Sequence, residues 1–270
     1  MKKIQILQYA SLGLAALALL LQVLAVLRQF DGGTNYFKIG ASLPTLAVIA
    51  ALLSAAVGTV SALLTKVDPA TASIFPKEGL MPSVILAVGF GIAIMLFALS
   101  LREPISGVAL LAVVCSAIAA FYAIATGFPA FRAQASLITA LGFSAPIACI
   151  LFNGYYYFDT SVEMNSPIKT TVQVGLICAM LYFVSELRFL MGTPMPRLFL
   201  MLAGWTRSLG TLAAVAIPVA YLTGKCDRLD YVAGAILTFC VMLTANLRIL
   251  ALLQSANAPA ITPENENVDV

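Results

Sequence analysis

The chain has 270 residues, of which 61% are hydrophobic and only 10% are charged. Soluble domains carry roughly a quarter of their residues as charges, so this balance excludes a soluble enzyme and a disordered chain alike. It describes an all-α integral membrane protein, with the lipid bilayer as its principal partner.

The counts remove further classes. The chain contains no histidine, which excludes histidine-ligated haem, most catalytic zinc sites and Ser-His triads. The five cysteines form no C-x-x-C pair. Cys115, Cys149, Cys178 and Cys240 lie in apolar runs and read as small buried hydrophobes. Cys226, in a polar loop, is the one candidate reactive thiol. A net charge of +3 with Lys and Arg scattered among loops gives no stripe for a nucleic-acid partner. No cofactor-binding motif is present.

A helix crosses the hydrocarbon core with about 20 predominantly apolar residues. Taken in chain order, such stretches fall at 4–27, 43–65, 80–101, 105–126, 135–157, 168–190, 198–222 and 231–253. The runs are apolar all round and rich in Leu and Ala, which favours helices over the alternating strands of a barrel. The first run follows Lys2 and Lys3 but exceeds the ~7–15 apolar residues of a cleaved signal, so it reads as a retained helix. Residues 1–253 form one helical membrane domain of eight spans with short loops, and 254–270 read as a disordered acidic tail. Lys and Arg slightly favour the side of the N-terminus, and Lys2 and Lys3 precede the first span. The positive-inside rule therefore puts both termini in the cytoplasm.

Small residues recur at helix-packing spacing. The second span holds Ser54-x-x-x-Gly58, the third Ala87, Gly89, Gly91 and Ala93, and the seventh Gly204-x-x-x-Ser208 and Gly210-x-x-x-Ala214. Such faces let backbones approach closely, either inside the bundle or against a protein partner or a second copy. Pro146 lies in the middle of the fifth span and removes the bond to the Gly142 carbonyl, so a kink is expected there.

Apart from Lys169 at the start of the sixth span, Glu186, Arg188, Arg207 and Arg248 are the ionisable acidic and basic groups within the spans. Arg207 lies about 13 Å into its helix at ~1.5 Å per residue. A cation at that depth costs roughly 2.5–3.5 kcal/mol on insertion scales and faces protein or water. Its helical neighbours include Ala203, Gly204, Gly210, Thr211 and Ala214, a stripe suited to packing. The sixth and seventh spans are joined by a short turn, which makes Glu186 the expected partner of Arg207, with Asn246 able to join them. That cluster is read as a binding or coupling site, against the plainer alternative of a structural ion pair. Arg188 and Arg248, near helix ends, are expected to reach the membrane surface.

The segment Asn153–Lys169 carries an interfacial aromatic run, Tyr155, Tyr156, Tyr157 and Phe158. Behind it, Asp159, Glu163 and Asn165 form a weaker candidate site for a cation or polar ligand. Ser166 and Pro167 suit the N-cap and first position of the next helix. Phe30-Asp31 and Phe158-Asp159 follow the first and fifth spans, and a repeat of four spans would bring both loops to one face.

These features fit a transporter-like protein or a membrane subunit that binds a small solute or ion. The alternative is a non-catalytic scaffold or partner subunit of a larger complex. An intramembrane enzyme is disfavoured, since no span holds the paired Asp residues of an aspartyl protease or the Asp cluster of a metal-dependent phosphotransferase.

Overall fold

The computed structural model describes residues 2–69, 72–75, 80–101 and 106–255, with side chains from Ile4 onward. Most of the expected tail, from Ala256 on, lies outside the described residues, as do Lys77 and Arg102. The helices run in the order α1 (Lys2–Gln29), α2 (Leu43–Leu64), α3 (Met81–Ser100), α4 (Gly107–Gly127), α5 (Pro129–Arg132), α6 (Ala135–Gly142), α7 (Ser144–Phe158), α8 (Pro167–Leu190), α9 (Pro196–Ala214), α10 (Ala216–Leu222) and α11 (Leu229–Ser255). Together they make eight spans long and apolar enough to cross a membrane, with α6–α7 and α9–α10 each forming one. The chain is an all-α polytopic helical bundle, as the apolar runs require. A single two-stranded hairpin, β1 (Phe30–Asp31) and β2 (Tyr36–Phe37), closes the first loop.

The ends of the helices follow their local sequence. Proline occupies the first or second position of α2, α3, α8 and α9, where its missing N–H costs no helical bond. Gly192 and Gly224 adopt φ of +71° and +69° just past α8 and α10. They reverse the chain so that the Thr193 and Lys225 amides bond back to the Arg188 and Ala220 carbonyls. Ser166 stands at the N-cap of α8, but its hydroxyl donates to the Asn35 carbonyl and does not cap the helix.

Two spans are interrupted in the same way. α6 gives way to α7 at Phe143, three residues before Pro146, and α9 to α10 at Val215, three residues before Pro218. Each proline removes the amide that would bond to the carbonyl four residues earlier, at Gly142 or Ala214, and crowds that carbonyl. The break in the seventh span was not foreseen, although its proline is equally visible in the sequence.

The lateral packing inverts the pattern of a soluble protein. In α2 the buried residues are Ala47, Ala50, Ala51, Ser54, Ala55, Gly58, Ser61 and Ala62. The exposed ones include Leu46, Ile49, Leu52, Leu53, Leu63 and Leu64. Lipid solvates the large side chains, while small ones allow the helices to approach. α9 is the hub: it packs against α8, α2, α11 and α1, while α3 and α4 lean on α11 and α7. The two motifs read from the second and seventh spans meet each other. Ser54 Oγ lies 2.7 Å from Ser208 Oγ, and a methyl group built on Gly58 would lie 3.9 Å from Gly204 Cα. A methyl on Gly210 would come within 3.1 Å of Thr238 on α11. Most of the small residues proposed as a surface for a protein partner are therefore spent on contacts within the chain.

Gly89 and Gly91 separate the two faces of α3. A β-carbon on Gly89 would collide with Cys240 Cβ, whereas one on Gly91 would meet nothing within 4 Å. Overpacking typically costs about 1–3 kcal/mol. Gly89→Val is expected to lower the unfolding midpoint of the detergent-purified protein, and Gly91→Val to leave it nearly unchanged. Equal effects of the two would contradict the α3–α11 packing.

Candidate functional site

The start of α1 and the end of α11 lie at one face of the bundle, where Gln5 and Gln254 line a common cavity. Just inside this face lies the first polar cluster. Glu186 on α8 forms an ion pair with Arg248 on α11, with side chains 0% and 1% exposed. Tyr122 on α4 donates its hydroxyl to Glu186 Oε1 at 2.6 Å, and the Arg248 guanidinium sits 5.0 Å from the centre of the Phe75 ring. Three central or flanking helices are thus tied through one carboxylate. The expected Glu186–Arg207 pair does not form, because α8 turns Glu186 toward α4 and α11. Arg248, expected to reach the surface, is instead buried as the partner of Glu186.

Arg207 heads a different network. It is 3% exposed, and its guanidinium donates to Gln8 Oε1 at 3.2 Å and to Ser11 Oγ, both on α1. Behind these groups a polar seam joins α1, α2 and α9. Gln8 Nε2 donates to Ser61 Oγ at 3.1 Å, and Ser11 Oγ to the Ser54 carbonyl at 2.8 Å. Ser54 Oγ returns a bond to the Ser11 carbonyl at 2.6 Å. No acidic side chain of the described residues forms an ion pair with Arg207, and its Nε has no hydrogen-bond partner among them. Arg207 and Asn246 do come together, as expected. Both line a cavity of about 180 Å³ bounded by Gln5, Gln8 and Tyr9 of α1 and by Ile249 and Leu253 of α11.

The opposite face carries the third cluster. Here Arg228 bridges Asp159 at 2.8 Å and Asp230 at 2.6 Å and also donates to Ser161. Tyr231 donates to Asp159 Oδ2 at 3.0 Å, and Tyr156 to the Asp230 carbonyl at 2.7 Å. Burial works against the Asp159 carboxylate, but hydrogen bonds from Ser161, then Arg228 and Tyr231, more than offset it and hold its pKa below the ordinary carboxylate value. Burial also opposes the Arg228 charge, and the two carboxylates raise its pKa above the usual guanidinium value nonetheless. A cavity of about 750 Å³ adjoins this cluster, lined in part by Ser100, Ser106, Tyr155, Asp227 and Arg228.

The trio Asp159, Glu163 and Asn165 does not converge. Asp159 is engaged by Arg228, while Glu163 accepts the Tyr36 hydroxyl at 2.5 Å, and Asn165 is exposed. Among the described residues no group of three His, Cys, Asp or Glu side chains could hold a metal ion. The bonds from Tyr36 to Glu163 and from Ser166 to Asn35 do bring the first and fifth loops to one face. Lys169, buried, caps the loop by donating to the Asp159 and Val162 carbonyls. Cys226 is 6% exposed, and burial pushes its thiol pKa up, which opposes the reactive role considered for it. Asp230 was missed because the eighth span was started at Tyr231. The close spacing of Arg228 and Asp230 at a helix start was the available signal.

No family model matches the chain, and no curated protein or solved structure matches it either. The fold itself defines a multi-pass membrane protein.

Removing one partner of a buried ion pair typically costs about 3–5 kcal/mol. Arg248→Ala is expected to destabilise the protein by that order, and Glu186→Gln combined with Arg248→Gln by clearly less than the sum of the two single changes. Glu186→Gln and Arg207→Gln should add to within about 0.5 kcal/mol, as uncoupled sites do. Denaturant unfolding in detergent measures both cycles. Coupling between Glu186 and Arg207, with none between Glu186 and Arg248, would overturn this pairing.

Proposed function

We propose that this is a transporter-like membrane protein, or a membrane subunit, that binds a small solute between its helices. The observation that carries this reading is Arg207, a buried cation with hydrogen bonds but no carboxylate partner among the described residues, at the wall of a cavity that also holds Asn246. A buried charge is normally matched by an opposite one, and ionisable groups inside membranes characteristically mark solute pathways. A ligand can supply the missing half. The fifth and seventh spans are also interrupted at prolines, as transporter helices often are, but neither break borders this cavity. Glu186, once grouped with Arg207, is assigned here to holding α4, α8 and α11 together.

The scaffold alternative would dock a partner through small-residue faces or loops, and the contacts of Gly58, Gly89, Gly204 and Gly210 weaken the first of these routes. We place the protein in a cell membrane with both termini in the cytoplasm, on the distribution of Lys and Arg in the loops.

The test is native mass spectrometry of the intact protein purified in mild detergent, with extraction of what travels with it. A bound small molecule, lost in Arg207→Gln and Asn246→Leu, is expected. A stoichiometric protein partner with no small molecule would replace this reading with the scaffold one.

A further inference from the structure

The cavity beside Arg207 has the character of a site for one chemical class. Its inner wall is polar: the guanidinium, buried and with Nε unpartnered, is accompanied by the amides of Gln5, Gln8 and Asn246. Guanidinium and amide N–H groups are donors, and the fixed planar fork of Arg matches the oxygens of a carboxylate or phosphate. No acidic side chain lines the cavity among the described residues. Among the described lining residues the one formal charge is positive, which favours an oxyanion over a cation.

The outer wall is apolar and faces lipid. Leu12 and Leu250, which line the cavity from α1 and α11, are 43% and 47% exposed, and Tyr9 beside them is 66% exposed. α1 and α11 both pack on α9, so α9 forms the floor of a crevice with Arg207 on it. The volume, about 180 Å³, is below the ~300–1,000 Å³ of pockets that enclose a drug-sized molecule. It suits a headgroup whose attached chain stays outside. Gln5 near the start of α1 and Gln254 near the end of α11 line the crevice, and basic pockets between helices on the cytoplasmic side bind anionic headgroups.

Resting on the solute-binding reading above, we propose that the crevice between α1 and α11 binds an anionic amphiphile. Its carboxylate or phosphate is held by Arg207, Gln8 and Asn246, and its acyl chain lies along Leu12, Leu250 and Leu253.

The experiment is delipidation of the purified full chain, followed by titration with dioleoyl phosphatidic acid, dioleoyl phosphatidylcholine and inorganic phosphate, read by native mass spectrometry. Phosphatidic acid is expected to bind at one site, with affinity reduced about tenfold or more in Arg207→Gln, the loss of a charge-assisted bond. Arg207→Lys should retain part of it. Leu250→Trp, at an exposed position that leaves the fold intact, should reduce phosphatidic acid binding by obstructing the crevice, and it decides the matter if Arg207→Gln fails to fold. Equal binding of phosphatidylcholine, or binding indifferent to both Arg207→Gln and Leu250→Trp, would overturn the proposal. Saturable binding of inorganic phosphate that matches or exceeds that of phosphatidic acid would assign the site to a free anion and overturn the amphiphile. If a neutral or cationic small molecule co-purifies and depends on Arg207, the solute-binding reading stands while the oxyanion assignment falls. If nothing co-purifies and no probe binds, both fall.

Discussion

Inside the hydrocarbon region no solvent is available to satisfy a polar group, so each buried donor, acceptor or charge must find its partner within the chain or in a ligand. The Ser11–Ser54–Ser208 seam shows the constraint met with short side chains, each hydroxyl bonded across or along its helix. The same residues are small enough to bring α1, α2 and α9 close together. Close packing and polar satisfaction are here achieved by one set of side chains, and the position of α9 at the centre of the bundle depends on it.

The two deeply buried arginines meet that constraint differently. Arg248 is neutralised by Glu186, whose other oxygen takes the Tyr122 hydroxyl. That pairing matches charge with charge and links three helices to one another. Arg207 is hydrogen-bonded to Gln8 and Ser11, but no carboxylate of the described residues balances its charge, and its position borders a crevice rather than a sealed interior. The first arrangement suits structure, and the second suits binding. On the opposite face, the Asp159–Arg228–Asp230 triad at the start of α11 ties a loop to a helix start and gives both carboxylates a cationic partner.

Much of this architecture was legible in the sequence. The spans follow from runs between charges, and Ser54-x-x-x-Gly58 and Gly204-x-x-x-Ser208 were visible as packing faces that turn out to face each other. The pairing of charges was not legible. α8 and α9 are consecutive and antiparallel, which suggested Glu186 with Arg207, but neighbouring helices place side chains in contact only if their rotational phases agree. At 100° per residue, a helix that is apolar on every side gives no sequence signal for that phase. Arg248 illustrates the difficulty from the other direction, since its place near a helix end pointed to the surface while Glu186, Tyr122 and Phe75 surround it in the interior. Asn246, read as lying in the same half of the bilayer as Arg207, lines one cavity with it, because depth in the membrane, unlike rotation, can be counted from the ends of the spans.

The central claim is that Arg207 takes its counter-charge from a ligand. The most direct measurement is a high-resolution cryo-electron microscopy map of the protein in nanodiscs formed from native membrane lipid. Density for a bound molecule between α1 and α11, within hydrogen-bonding distance of the Arg207 guanidinium, is the result expected. A carboxylate of the chain itself paired with Arg207, with the crevice closed by α1 and α11, would contradict it.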